Sequence, residues 1–428
     1  MVIMRTSCLR LLSLLILGVC SWSCASYTDE TRDMNLAFHA GQFESALAHL
    51  DKSGIKEEDR NRLLYNLERG SILDKLDRRA ESRQLFLKAD AIVDQLYTKS
   101  LSKEAATYLY NEGAQAYSGE DYEKVAIHTI LAHSFLDDSK INEARVEAAR
   151  INTRLAEINS FYDENKNKYK EDAYARYLAG IVYEALGEFD DAIVDYKAAL
   201  RVYEDDYSKY FDTKAPRQLI EALHSLLNKR GRRDEAKQLR ENYDFLKKLP
   251  ERKGMTAEII VIHELGAVAQ KERSEFVYPI GGQIVRFSFP VIRKKPLFFG
   301  KTSLKISNGD EAFAELAQNF DAIASQNLED RRLRLMAKSA ARLILKGQIT
   351  QKAEKEFGPL GFIAASIYGA VTETADTRSW TLLPAAVSVS RLAVKPGSYD
   401  VEISSNGKVS AVKKLTLKAD QILILRDD

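Results

Sequence analysis

Cysteine is nearly absent. Cys8, Cys20 and Cys24 are the only three in 428 residues, and none follows them. A disulfide framework and a cysteine-built zinc site are therefore excluded from the folded body. Proline is scarce too, with Pro216 alone between residues 28 and 248. Charge of one sign is missing: 63 basic side chains face 62 acidic ones, where a dedicated nucleic-acid binder carries a marked basic excess. No glycine-rich phosphate loop with its Lys-Ser/Thr and no Gly-x-Ser-x-Gly elbow occurs. The six histidines (39, 49, 128, 133, 224 and 263) include no pair at the spacing that puts two ligands on one helix face. His263-Glu264 lacks the second histidine of a zincin motif, and in a strand the two side chains point to opposite faces. What is abundant is apolar material, 45% of the chain, enough for two domains or one long solenoid and too much for disorder.

A compact apolar run lies near the N-terminus. Arg5 and Arg10 precede Leu11-Leu12-Ser13-Leu14-Leu15-Ile16-Leu17-Gly18-Val19. Such a run rises only about 14 Å as a helix, against a hydrocarbon slab roughly 30 Å thick. A cleaved secretory signal over 1–23 is the expectation. Cys24 follows the small Ser23, as a lipoprotein signal peptidase prefers; Cys20 follows the bulkier Val19. Lipidation is therefore expected at Cys24, and the acyl chains would hold the protein on a membrane surface.

Residues 28–248 are rich in Ala, Leu, Glu, Arg, Lys and Tyr, and their apolar spacing is helical. A punctuation recurs: Gly, then an aromatic or its substitute two residues on, then Ala three further. It appears at Gly41-Phe43-Ala46, Gly187-Phe189-Ala192 and Gly231-Arg233-Ala236, with a looser copy at Gly119 and Tyr122. The fullest copy, at 176–204, has Gly180, Tyr183, Gly187, Phe189, Ala192, Tyr196 and Ala199, and looks like a tetratricopeptide (TPR) repeat. Gly70, Phe86 and Ala89 fit the same frame. A helix carrying Ile141, Ala144, Ala148, Ile151, Leu155, Ile158 and Tyr162 has a heptad-like seam. That seam serves either a dimerising coiled coil or packing within the solenoid. Because repeats contact mainly their neighbours, 28–248 is expected to fold alone.

After Pro250 the periodicity changes. Strands are expected at 259–262 and 284–289, then a helix carrying Phe313, Leu316, Phe320 and Ile323, and a second helix over 328–346. The end reads as β: 386–394, 399–404, 411–417 and 422–425, with turns at Pro396-Gly397 and Asn406-Gly407. The predicted fold class is α+β. An all-α TPR-like solenoid (24–250) precedes a smaller mixed domain (255–428) with a C-terminal antiparallel sheet. From Met255 on there are 24 basic and 19 acidic side chains, a net of +5, against −6 in the rest of the mature chain. Arg331, Arg334, Lys338, Arg342 and Lys346 form a stripe suited to anionic lipid or an acidic partner, or simply a solvated face. The apolar stretch 357–371 is too short to span a bilayer; it suits a buried helix or hairpin, or a segment dipping into the membrane.

Several short motifs resemble a family of uncharacterised bacterial TPR-containing envelope lipoproteins. They are Cys24-Ala25-Ser26-Tyr27, Tyr122-Glu123 with His128, Ala144-Arg145-Val146-Glu147-Ala148, the run from Ala375 to Trp380 ending at Leu383-Pro384, and Pro396-Gly397-Ser398-Tyr399. The resemblance covers nearly the whole chain. It implies a lipid-anchored protein of the bacterial cell envelope that faces the periplasm from the outer membrane, and it carries over no catalytic residue.

The expected function is thus a non-enzymatic scaffold for envelope protein partners in cell-wall synthesis or secretion. No cofactor, metal or nucleic acid is implied. The rival is an envelope enzyme or ligand binder with a site at Asp376, Arg378 and Trp380. There Arg378 would grip a carboxylate and Trp380 would wall the pocket. Alternatively, Asp376 and Arg378 form a structural contact that fixes the chain entering the final sheet.

Overall fold

The computed structural model describes residues 27–56, 58–100, 115–160, 168–249, 254–280, 283–293, 300–331, 375–405 and 407–427. The leader with Cys20 and Cys24, Tyr162, the basic stripe beyond Arg331 and the stretch 357–371 lie outside the described residues.

The helices come in pairs. α1 (Tyr27–His39) packs with α2 (Phe43–Lys52), and α3 (Arg62–Lys75) with α4 (Arg79–Ser100). α5 (Asp121–Asp137) packs with α6 (Ile141–Asn159), α7 (Ala173–Ala185) with α8 (Phe189–Val202), and α9 (Arg217–Lys229) with α10 (Arg233–Asn242). One turn joins every pair. Its central residue has a positive φ: Gly41 at 73°, Asp77 at 61°, Ser139 at 57°, Gly187 at 77° and Gly231 at 72°. In the α7–α8 turn, Gly187 N donates to Glu184 O at 3.0 Å and Glu188 N to Tyr183 O at 2.9 Å. The same two bonds recur in the other four turns and satisfy carbonyls at the end of the first helix. A small buried residue then lets the second helix approach: Ala46, Ser82, Ala144, Ala192 and Ala236.

Sequence pattern finds three of these turns and misses the two in which Asp77 and Ser139 replace glycine. Gly119 needs correcting. It has φ 82° but lies in the loop entering α5 and joins no helix pair. The α6 seam also resolves, since Ala144, Ala148, Ile151, Leu155 and Ile158 are buried, and α6 packs on α5 and α7 of the same chain. Solenoid packing, not a dimer, uses that seam.

Among the described residues the second half forms two four-stranded sheets and a hairpin. In the first sheet the order is β10 (Ile422–Asp427), β1 (Ala257–Leu265), β7 (Ala386–Val394) and β6 (Glu315–Asn319). In the second it is β5 (Glu311–Phe313), β4 (Ser303–Ile306), β8 (Gly397–Ser405) and β9 (Lys408–Leu417). β2 (Lys271–Ile280) and β3 (Gln283–Ile292), among the described residues, pair only with each other. A single antiparallel C-terminal sheet is therefore corrected: the terminal strands divide between two sheets, and β10 runs parallel to β1. The helix expected around Phe313 and Leu316 is corrected as well. Those residues lie in β5 and β6, and helix α11 starts at 320 and is described to 331. Their three- and four-residue spacing imitates a helix, but pairing with β4 and β7 decides the backbone.

The layers stack as helices, first sheet, second sheet. Alternation along β1 shows why: Ile260 and Ile262 join the core shared with the helices, while Ile259 and Val261 join a core shared with the second sheet. Tyr27, Leu67, Phe86, Tyr177 and Tyr196 belong to one cluster with Phe320, Trp380, Val387 and Ile424. The inner face of the solenoid is thus closed by the chain's own sheet. Independent burial in 28–248, expected from the repeat pattern, does not describe this packing.

Gly180 offers a test of the pairing. A Cβ there would fall 2.3 Å from the Tyr196 ring, which is wholly buried. Displacing the ring costs about 1–3 kcal/mol, toward the upper end for so short a contact. Alanine contributes only roughly 1 kcal/mol over glycine in a helix. Gly180→Ala should therefore lower stability in urea unfolding; an increase would remove the close approach from the account.

Candidate functional site

The face of the helical layer turned toward the sheets holds residues 375–383. α3 supplies Glu68 and Ser71, α5 supplies Glu123, and the loop before α5 supplies Tyr117 and Glu120. Glu123 accepts hydrogen bonds from Trp380 N at 2.7 Å and from the Tyr117 hydroxyl at 2.6 Å. Glu68 accepts from Thr381 N at 2.7 Å, Leu382 N at 3.1 Å and the Tyr27 hydroxyl at 2.8 Å. Three consecutive backbone N–H groups are thus held by two carboxylates. The Thr381 hydroxyl adds a side-chain bond to Glu68 at 2.8 Å.

The sequence-predicted site residues lie in this segment. Asp376 accepts from the Arg378 backbone N–H at 3.0 Å and from its guanidinium at 2.9 and 2.7 Å. Arg378 Nη1 donates to Gln115 O at 3.0 Å and Asn61 Oδ1 at 3.2 Å, and the guanidinium sits 5.3 Å from the Tyr117 ring centre. Trp380 is fully buried, its indole N–H donating to Ser71 Oγ at 2.9 Å and its ring beside Phe86. In place of an open pocket, the three residues clasp the segment to α3, α4 and the loop before α5. Lys271 of β2 adds a bond to Arg378 O at 2.8 Å and an ion pair with Glu120, which also pairs with Arg331 of α11.

Two further buried clusters join helices to the first sheet. Glu264 meets His133 Nδ1 at 2.7 Å, and Arg426 reaches Asp74 at 2.7 Å and Asp137 at 2.9 Å. Arg391 reaches Glu184 at 2.8 Å and the Tyr196 hydroxyl at 3.0 Å. Burial pushes the Glu264 carboxyl up, but Arg426, His133 and Lys75 outweigh it and hold the group well below the usual carboxylate range. Glu68 shifts the other way. Burial pushes its carboxyl up to about 7, although four donated hydrogen bonds favour the ionised form.

His263 and Glu264 do point to opposite faces, Glu264 to the helices and His263 to the space between the sheets. There the pattern missed a constellation. His263 Nε2 lies 3.0 Å from Ser390 Oγ, and His263 Nδ1 lies 3.0 Å from Asp427 Oδ2, the order of a serine–histidine–aspartate triad. The residues come from three strands far apart in sequence, so no local motif announces them. Ser390 and His263 are completely buried, however, and Asp427 also accepts from Ser405 and Ser410 of the second sheet. This network ties the two sheets together. Among the described residues no group of three His, Cys, Asp or Glu side chains is placed to hold a metal ion.

No family model matches the chain, and no curated protein matches its sequence. Similar solved structures cover about half of it. "MamA AMB-1 P212121" is 16% identical over 52% of this chain and 92% of its own, with a TM-score of 0.31. The apo form of RapI is 14% identical over 51% of this chain and 53% of its own, with a TM-score of 0.36. A putative kinesin light chain from Podosopora anserina with nearly identical TPR-like repeats is 14% identical over 50% and 90%, with a TM-score of 0.32. At such TM-scores the likeness supports no functional argument.

Two outcomes follow from the clasp. Trp380→Ala should destabilise the whole chain by about 3–5 kcal/mol in denaturant unfolding, the cost of emptying a buried aromatic site. Glu68 sets a pH dependence. Its folded pKa, about 7, lies above the ordinary glutamate value, so its contribution is full below that ordinary value and fades as pH rises through 7. The stability advantage of the wild type over Glu68→Gln should shrink between about pH 5 and 8. A constant or growing advantage would show the carboxylate to be ionised throughout.

Proposed function

We propose that this protein is a non-enzymatic, membrane-anchored envelope lipoprotein that acts as a protein-interaction scaffold in cell-wall synthesis or secretion. The observation that carries the scaffold reading is the five-fold repeat of one helix-pair turn, which builds an extended layer stiffened by a shared core. That layer uses its inner face on its own chain. Partners therefore meet its outer helices and the open edges of the sheets. Leu87 of α4, Val146 of α6 and Val194 of α8 are large apolar side chains exposed on the second helix of successive pairs. Among the described residues no helix is long and apolar enough to cross a membrane. The support for attachment through acyl chains on Cys24 is the sequence, an apolar run ending at Val19 and the small Ser23 before the cysteine.

Metabolic labelling with a fatty-acid probe tests the anchor: Cys24→Ala should lose the label, and retained label would move the anchor to Cys20. Affinity capture from detergent-solubilised envelope, comparing wild type with a Leu87→Glu, Val146→Glu, Val194→Glu variant of unchanged unfolding midpoint, tests the scaffold. Partners should be lost from the variant. A fluorophosphonate probe tests the enzymatic alternative; covalent labelling of Ser390 in the folded protein would overturn the non-enzymatic reading.

A further inference from the structure

The two edges of the second sheet are built differently. β5 at one edge has three residues, whereas β9 at the other has ten, and among the described residues no strand pairs with its outer side. Shortness is one way a protein blunts an edge, and β5 uses it. β9 leaves a long row of N–H and C=O groups open to an added chain.

The side chains of β9 limit which chain fits. Lys408, Lys413 and Lys414 lie within the strand and Lys418 follows it, with no acidic residue from 408 to 418. Across the pair with β8, Lys414 stands opposite Asp400, but Lys413 stands opposite Val401 and Lys408 opposite Ser405. Ala411, Leu415 and Leu417 pack on the core between the sheets. The two-residue pleat puts Lys413 on that same inward face, where it is half-buried. An apolar strand laid beside it would bury the ammonium without a partner, which is costly. A strand carrying a carboxylate at that position would pair with it instead. On the other face Val412 is 65% exposed, and Val409, before the bulge at Ser410, is 54% exposed. Guarding alone would not call for exposed valines on the guarded strand.

We infer that β9 is a docking edge for an extended acidic segment of a partner protein. The segment adds as a fifth strand, sets a carboxylate against Lys413 and covers Val412 with an apolar residue. Lys413 acts as a selector: it repels uncharged and basic strands and admits acidic ones. This surface fits the scaffold reading without depending on it.

The test uses the full mature chain and a labelled peptide, as long as β9, alternating valine or threonine with glutamate. Its counterpart carries lysine in place of glutamate. Fluorescence anisotropy should show binding of the acidic peptide alone, weakening as salt rises. Amide exchange should slow across 408–417. Lys413→Glu, with an unchanged unfolding curve, should weaken the acidic peptide roughly tenfold, the factor of a modest change in one charge pair, and admit the lysine peptide. Lack of binding, equal binding of both peptides, undiminished binding to Lys413→Glu, or protection outside β9 would each overturn the assignment. So would a concentration-dependent dimer lost in Lys413→Glu, which would make the occupant a second copy of this chain.

Discussion

Two buried carboxylates facing three consecutive backbone N–H groups hold the molecule in its present form. Glu68 and Glu123 are costly to bury, and neither is stable in an empty groove. Residues 380–382 supply donors that a strand partner would otherwise take. Each side satisfies what the other leaves unpaired. The helical layer therefore requires the C-terminal segment, and the segment in turn leads directly into β7, the strand that joins β1 to β6.

That constraint changes what a TPR-like layer does here. A solenoid usually keeps its inner face for partners, but this one spends it on a sheet sealed by charge clusters at Glu264, Arg391 and Arg426. Removing one member of such a cluster leaves another charge buried and unpaired, so the clusters fix position more than they add stability. The serine, histidine and aspartate between the sheets belong to the same logic. Their geometry matches a nucleophilic triad, yet their place in a filled space makes them a polar bridge.

Protonation couples these features. Glu123 and Asp172 are, like Glu68, pushed up by burial, and Asp172 accepts from Gln318 of β6 at 2.6 Å. Each of these carboxyls lies where the helical layer meets the second half of the chain. Their contributions share a sign and fade as pH rises through their raised values. Glu264 behaves oppositely because cations surround it.

The sequence by itself determined the local structure. Helical periodicity, glycine turns at 41, 187 and 231, small residues at 46, 144, 192 and 236, and the strands near the C-terminus follow from neighbours in the chain. It also marked Asp376, Arg378 and Trp380 as unusual. Only tertiary structure decided what they do, because their partners Asn61, Ser71 and Gln115 lie hundreds of residues away. The turns at Asp77 and Ser139 were hidden for a local reason: a non-glycine residue holds the left-handed position there. β5 and β6 were hidden too, because their apolar spacing favours a helix until β4 and β7 pair with them. Periodicity records which face of an element is buried; it does not record against what, and in this protein the burying surface is the other half of the chain.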